Sequence, residues 1–197
     1  MITKNIPNNW RNLQVECSRI LQECGFKVET EKKLQTARGF VRVDVYAEED
    51  INNRKNIIIC ECKLWNKKIP QREIHAFRTV INDIGANVGI IISKNGFQSG
   101  AYQANNFTNI KLVNWQEFEE LFLKEWLEMY FVKRLMKITD DISFLGEPIS
   151  CKRDNILNTL SKMNQDKLLD LDEKCIPFNT IITHFLSVGY SRIFSNK

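Results

Sequence analysis

Two carboxylates and one lysine stand out against an apolar background. The stretch IIICECKLW, residues 57 to 65, reads as a buried strand apart from Glu61 and Lys63. Successive side chains of a strand point to opposite faces, so Glu61 and Lys63 share one face while Cys60 and Cys62 share the other. In the preceding segment, GFVRVDVYAEE, Val41, Val43 and Val45 alternate with Arg42, Asp44 and Tyr46, which predicts that Asp44 faces away from the three valines. If the two segments pair as a hairpin, the carboxylates of Asp44 and Glu61 meet on one face of adjacent strands. Two carboxylates at close range repel unless a proton or a cation intervenes. Lys63 offers partial relief. A hard divalent ion offers more, because Mg²⁺ takes oxygen ligands and completes its shell with water and substrate phosphate.

Such a set suits phosphodiester hydrolysis. A metal lowers the pKa of bound water and offsets charge on the phosphoryl oxygens, while an ammonium group orients the water or stabilises the transition state. The main-chain carbonyl of Cys62 is a further candidate ligand. Taken alone, an acid two residues from a lysine on a strand is usually a surface ion pair worth about 0–1 kcal/mol. Here the company decides otherwise, since a strand this apolar is central, and central strands seldom carry charges without a task.

The elements that must position these groups can be read from periodicity. Residues 9 to 24 place Leu13, Cys17, Ile20, Leu21 and Cys24 at helical spacing and stop at Gly25, with Glu16 and Glu23 together on one flank of the apolar stripe. Three strand-like segments follow, FKVETEKKL, GFVRVDVYAEE and NIIICECKLW, expected to be antiparallel. QREIHAFRTVINDIG then gives a helix with Ile74, Phe77, Ile81 and Ile84 on one face; VGIIIS a strand; FQSGAYQANNF a turn or two of helix; and NIKLVNW another strand. The order αβββαβαβ predicts a layered α/β core with helices on both faces. A long helix rich in bulky side chains is expected from Trp115 to about Ile138, wide enough in its apolar surface for core packing or a dimer or partner interface. LGEPIS (145 to 150) breaks the chain, a helix around Ile156, Leu157, Leu160 and Met163 follows, and IPFNTIITHFLSVGYSRIF closes it. We therefore expect a domain over 1–138 and a helical extension over 139–197.

Composition narrows the classes. The 197 residues, 43% hydrophobic and 26% charged, suffice for a full core. Neither a membrane-spanning run nor a secretory signal is visible, so a cytoplasmic location and no membrane partner are expected. The six cysteines lie largely in apolar periodic segments and read as reduced core thiols, and the absence of a CxxC, with only His75 and His184, argues against zinc. The net charge of +4 permits a polyanionic partner, and Arg38, Arg42, Lys63, Lys67, Lys68 and Arg72 crowd the candidate strands and their loops.

ARGFVRVDVYAEE followed by IIICECKLW and then VINDIGANVGIIISKNGFQSGAYQAN resembles the Mrr-like branch of the PD-(D/E)xK nuclease superfamily, the restriction endonuclease type of bacterial defence, over roughly residues 9 to 115. The resemblance implies a restriction-endonuclease-like αβββαβ core, a mixed central sheet flanked by helices, with a C-terminal helical extension. It also implies a metal-dependent endonuclease acting on double-stranded DNA in restriction or anti-phage defence, with Mg²⁺ as cofactor and Mn²⁺ able to substitute. Asp44 and Glu61 match the metal ligands and Lys63 the catalytic lysine. Glu16, or else Glu23, matches the first-helix acid that assists metal binding in many relatives. Some members add QxxxY on the next helix; here Gln71 to His75 reads QxxxH, leaving Gln71 an accessory candidate. Val43 stands where the superfamily's name has proline. Lys67, Lys68, Arg72 and Lys94 are candidates for neutralising DNA phosphates, and Trp65 is expected to pack rather than stack on a base. A catalytically inactive DNA-binding or assembly subunit on the same fold, and a Holliday-junction or repair nuclease, stay open as alternatives, as do a homodimer and a second defence-system protein as partners.

Overall fold

The computed structural model describes residues 1–138, apart from Asn5, and 151–184. Its elements follow the expected order. Helix α1 (Trp10–Glu23) starts at Asn9, whose side chain accepts a hydrogen bond from the Asn12 amide at 2.8 Å. Strands β1 (Lys27–Thr36), β2 (Gly39–Ile51) and β3 (Arg54–Lys63) form an antiparallel meander. Asn52 and Asn53 make the tight β2–β3 turn with φ of 50° and 62°, values that asparagine tolerates better than most residues and that match the twist of a two-residue hairpin loop.

Helix α2 (Gln71–Ile84) ends at Gly85, whose φ of 73° is the left-handed stop expected there. It crosses over to β4 (Val88–Ser93), parallel to β3; α3 (Ser99–Ala104) then leads to β5 (Ile110–Val113), parallel to β4. The sheet order is β1-β2-β3-β4-β5, so β3 is the central strand of a mixed sheet, as its apolar run requires. Helix α4 (Trp115–Trp126) is held at its start by a reciprocal pair of bonds between Asn114 and Glu117.

Two cores result. One lies beneath α1 and α4 and holds Leu13, Cys17, Leu21, Val45, Cys60, Cys62 and Phe118; the other lies beneath α2 and α3 and holds Val43, Tyr46, Ile59, Ile74, Phe77 and Ile91. Gly89 sets the spacing of the second, because a Cβ there would sit 2.8 Å from Phe77 and 2.9 Å from Ile81. Cys17, Cys24, Cys60, Cys62 and Cys175 are free thiols, and burial pushes Cys24 up to about 12.

Three features differ from expectation. Val43 and Val45 belong to different cores, although residues two apart on a regular strand share a face. The pairing of β1 with β2 keeps one register throughout but omits the pair Glu31 and Asp44, and Glu31 has φ of 50°. The strand therefore turns over at Asp44. The single helix expected over 115 to 138 changes at Leu127–Phe131 into a π-helical turn before helical structure resumes. Around Leu160 the chain likewise forms two helices, Cys151–Thr159 and Lys162–His184, the latter containing Pro177. LGEPIS and the end of the last apolar segment lie outside the described residues. The chain divides into compact units at Met1–Met129 and Tyr130–Lys197, and all elements from α1 to α4 belong to the first. Among the described residues no helix is long and apolar enough to cross a membrane.

Candidate active site

The site forms where β2 and β3 part. Their ladder runs from Ile51 and Arg54 to Val45 and Cys60; beyond it, Glu61, Cys62 and Lys63 pair only with β4, while Val43 and Arg42 pair only with β1. Asp44 stands at this fork. Its Oδ2 accepts the Cys62 amide at 2.7 Å, so a carboxylate takes the bond that a β2 carbonyl would otherwise supply. Its Oδ1 accepts from Gln14 Nε2 of α1 at 3.1 Å. Two bonds to a charged acceptor fix this carboxylate, each worth about 1.5–3 kcal/mol.

Glu61 and Lys63 lie on the face of β3 opposite Cys60 and Cys62, toward α2. Lys63 Nζ is 2.7 Å from Glu61 Oε1 and 3.8 Å from Glu73 Oε2 of α2. Burial raises the Glu61 carboxyl above the usual range and the negative charge of Asp44 raises it further, against the pull of Lys63. Burial opposes the Lys63 ammonium, yet the hydrogen bond and charge of Glu61, with smaller contributions from Glu73 and Asp44, outweigh it and hold its pKa above the ordinary lysine value. The lysine is thus kept charged at neutral pH, between acids that repel one another.

A divalent cation fits this donor set. Asp44 and Glu61 offer hard carboxylate oxygens, and the mutual repulsion that raises Glu61 is what a cation there would offset. Among the described residues no three His, Cys, Asp or Glu side chains converge on one point.

Residues 8–122, more than half of the chain, match a restriction endonuclease family. The chain belongs to that family. No curated protein sequence matches it. Among solved structures, a protein of unknown function, AF1548, is 21% identical, with a TM-score of 0.49 over 86% of this chain and 99% of its own. The DNA modification-dependent restriction endonuclease AspBHI is 12% identical, with a TM-score of 0.42 over 58% of this chain and 30% of its own. MspJI restriction endonuclease, solved with a 27-mer oligonucleotide, is 12% identical, with a TM-score of 0.40 over 60% and 28%. The chain spans less than a third of either restriction enzyme, and at these distances the likenesses add nothing to the family match.

Within this restriction endonuclease domain the expected residues separate into two groups. Asp44, Glu61 and Lys63 are brought together, and Cys62 joins them through its amide. Glu16 is not. It pairs with Arg19 at 2.8 Å, and Glu23 binds the same guanidinium at 2.7 Å and accepts from Trp126. At about 100° per residue, Gln14 and Glu16 lie some 200° apart on α1, and the flank facing Asp44 is the one with Gln14 and Ser18. Gln71 is exposed at the start of α2 and contacts His75 at 3.1 Å.

Lys67, Lys68 and Lys94 are exposed on the loops after β3 and β4, which a bridge between Ile69 and Phe97 ties together at the Lys63 end of the sheet. Arg72 is exposed and pairs with Glu73 at 3.3 Å. Trp65 packs against the α2/α3 core, with Lys63 Nζ 5.1 Å and Lys67 Nζ 5.6 Å from its ring centre. Sequence reasoning missed Gln14 and Glu73. Glu73 had a visible signal, an acid in the first turn of the helix that follows the charged strand. Gln14 had none beyond being a polar residue inside an apolar stripe.

Proposed function

We propose that this chain is a metal-dependent DNA endonuclease that hydrolyses phosphodiester bonds in double-stranded DNA, acting in restriction or anti-phage defence. The observation that carries the reading is the Lys63 ammonium, 2.7 Å from Glu61, at the fork where Asp44 is anchored by the Cys62 amide and Gln14. Mg²⁺, or Mn²⁺ in its place, held by Asp44, Glu61 and the Cys62 carbonyl, would lower the pKa of a water and offset phosphoryl charge. Gln14 and the Cys62 amide hold Asp44 in place. Lys63, with its pKa raised, acts as a fixed positive charge toward phosphate oxygens rather than as a base. Glu73 steadies the ammonium from α2. Lys67, Lys68, Arg72 and Lys94 neutralise phosphates on either side.

The nuclease domain in this reading covers residues 1–138, with 139–197 as an extension, and the protein acts in the cytoplasm. Cutting both strands calls for a second site, supplied by a homodimer or by a second defence-system protein. The decisive experiment is digestion of supercoiled plasmid by the purified full chain. Nicked and linear products are expected with Mg²⁺ or Mn²⁺ and none with EDTA.

One observation favours a second reading. α1 offers Asp44 an amide where an acid was expected, which suits a DNA-binding or assembly subunit that has lost catalysis. Duplex binding without cleavage across several divalent metals would select that reading, and cleavage of branched but not linear DNA would select a junction or repair nuclease.

A further inference from the structure

The β1–β2 hairpin extends past the fork as a two-stranded ribbon. One of its faces is covered: Val43 is buried in the α2/α3 core and Leu34 and Val41 pack against it. The other carries Lys33, Gln35, Phe40 and Arg42, all exposed. The register sets Lys33 opposite Arg42 and Gln35 opposite Phe40. Lys33 Nζ lies 4.3 Å from the centre of the Phe40 ring, which is 66% exposed.

One feature of this face is unfavourable in the free protein and another is unusual. Like charges directly opposite on paired strands destabilise the pair. Neighbouring cations are neutralised, Lys32 by Glu29 at 2.6 Å and Arg38 by Asp83 at 3.4 Å, whereas among the described residues no ion pair holds Lys33 or Arg42. A single exposed phenylalanine needs no explanation. One that lies under Lys33 Nζ and next along the same face from Arg42, on the strand that carries Asp44, does.

We infer that the exposed face of the β1–β2 ribbon reads duplex DNA in the major groove beside the scissile phosphate, with Lys33 and Arg42 on phosphates and Gln35 and Phe40 toward base edges. The inference rests on the endonuclease reading and deepens it. At about 3.3 Å per residue, Arg42 lies roughly 7 Å and Phe40 roughly 13 Å along β2 from Asp44. The major groove, about 12 Å wide, admits a two-stranded ribbon. A phosphate at Asp44 and Lys63 thus leaves the groove next to it for the ribbon. Phe40 suits the thymine methyl group, and Gln35 the N6 and N7 edge of adenine.

The test is fluorescence anisotropy of the full chain with an A·T-rich 30-base-pair duplex, over a salt series, beside the plasmid assay. The Lys33→Ala/Arg42→Ala variant should lower the log–log salt slope by about 1.8, at about 0.9 for each phosphate no longer neutralised. Phe40→Ala should weaken binding about tenfold, within the range of one good base-edge interaction. Replacing thymine with deoxyuridine should weaken the wild type and leave Phe40→Ala indifferent. Lys27→Ala, an exposed cation elsewhere on β1, is the control for net charge. All four side chains are exposed, so melting temperatures should not fall, and relief of the opposed like charges should raise that of Lys33→Ala/Arg42→Ala slightly.

Ribbon variants that bind like Lys27→Ala, while the wild type binds and cuts duplex, would overturn the inference and leave the nuclease reading standing. The inference also falls if the ribbon variants change the oligomeric state with DNA affinity intact, or if deoxyuridine changes nothing. A wild type that neither binds nor cuts DNA would instead remove the nuclease reading itself.

Discussion

The two ends of the β2–β3 hairpin are built from the same strands in different ways. At the Asn52–Asn53 end, backbone pairing continues to Ile51 and Arg54 and two left-handed residues close the turn. At the other end pairing stops at Val45 and Cys60, and the next bond to β3 comes from the Asp44 side chain. Every group proposed for chemistry gathers at the second end. A closed ladder uses up its polar groups, whereas a fork leaves carboxylates and an ammonium close together, half-buried and strongly coupled. The raised pKa values of Glu61 and Lys63 follow from that placement.

Substitution at each end breaks or sharpens the contrast. At the fork, Asp44→Ala or Lys63→Ala should lower the plasmid-cleavage rate by at least about 10²-fold, the scale of losing a charge-stabilising group. At the closed end, Asn53→Gly keeps the backbone conformation accessible and should leave cleavage unchanged, with stability altered by no more than about 0.5 kcal/mol. Equal losses at both ends would dissolve the distinction.

The flanks of α1 offer the next test, by chemical denaturation. Gln14→Ala removes a buried bond to a charged acceptor and should destabilise the fold by about 1–3 kcal/mol. Glu16→Ala removes a partly exposed ion pair with Arg19 and should cost about 0–1 kcal/mol. A reversed order would mean that Glu16 has a task near Asp44 that the geometry does not account for.

The smallest effect is a titration. Burial first, and Asp44 second, raise the Glu61 carboxyl, so ionising Glu61 costs the folded state more than the unfolded one. Its contribution to stability therefore declines as pH rises from the ordinary glutamate value, about 4.3, through its folded pKa. In Asp44→Asn the Glu61 pKa should move down part of the way, since burial persists. Carbon-detected NMR of the Glu61 carboxyl reads this directly, and an unmoved titration would separate the two acids.

Much of the fold is legible because its signals are local. Helical spacing with Gly25 and Gly85 marks α1 and α2, and the apolar run of β3 marks a strand covered on both faces. The hairpin alone brings Asp44 near Glu61 and Lys63, since alternation fails at Asp44 and the ladder stops at Val45 and Cys60. What escaped depends on distant geometry. The inversion at Asp44 arises from an unpaired position opposite Glu31, a non-glycine residue with positive φ that no residue-type pattern marks. Which flank of α1 meets the fork depends on where β2 leaves β3, so two acids on the wrong flank looked as suitable as Gln14 on the right one. The π-helical turn at Leu127–Phe131 interrupts a segment whose apolar spacing gives no sign of it.

The central strand also limits how the gene can change. β3 is locked by an antiparallel neighbour on one edge and a parallel one on the other, with Cys60 held against both Val45 and Ile90. Gain or loss of one codon between Arg54 and Cys60 would exchange odd for even positions, driving both charged groups into the thiol-lined layer and turning the thiols outward. Insertions and deletions in descendants of this sequence should therefore collect in the turns and stay out of that short run.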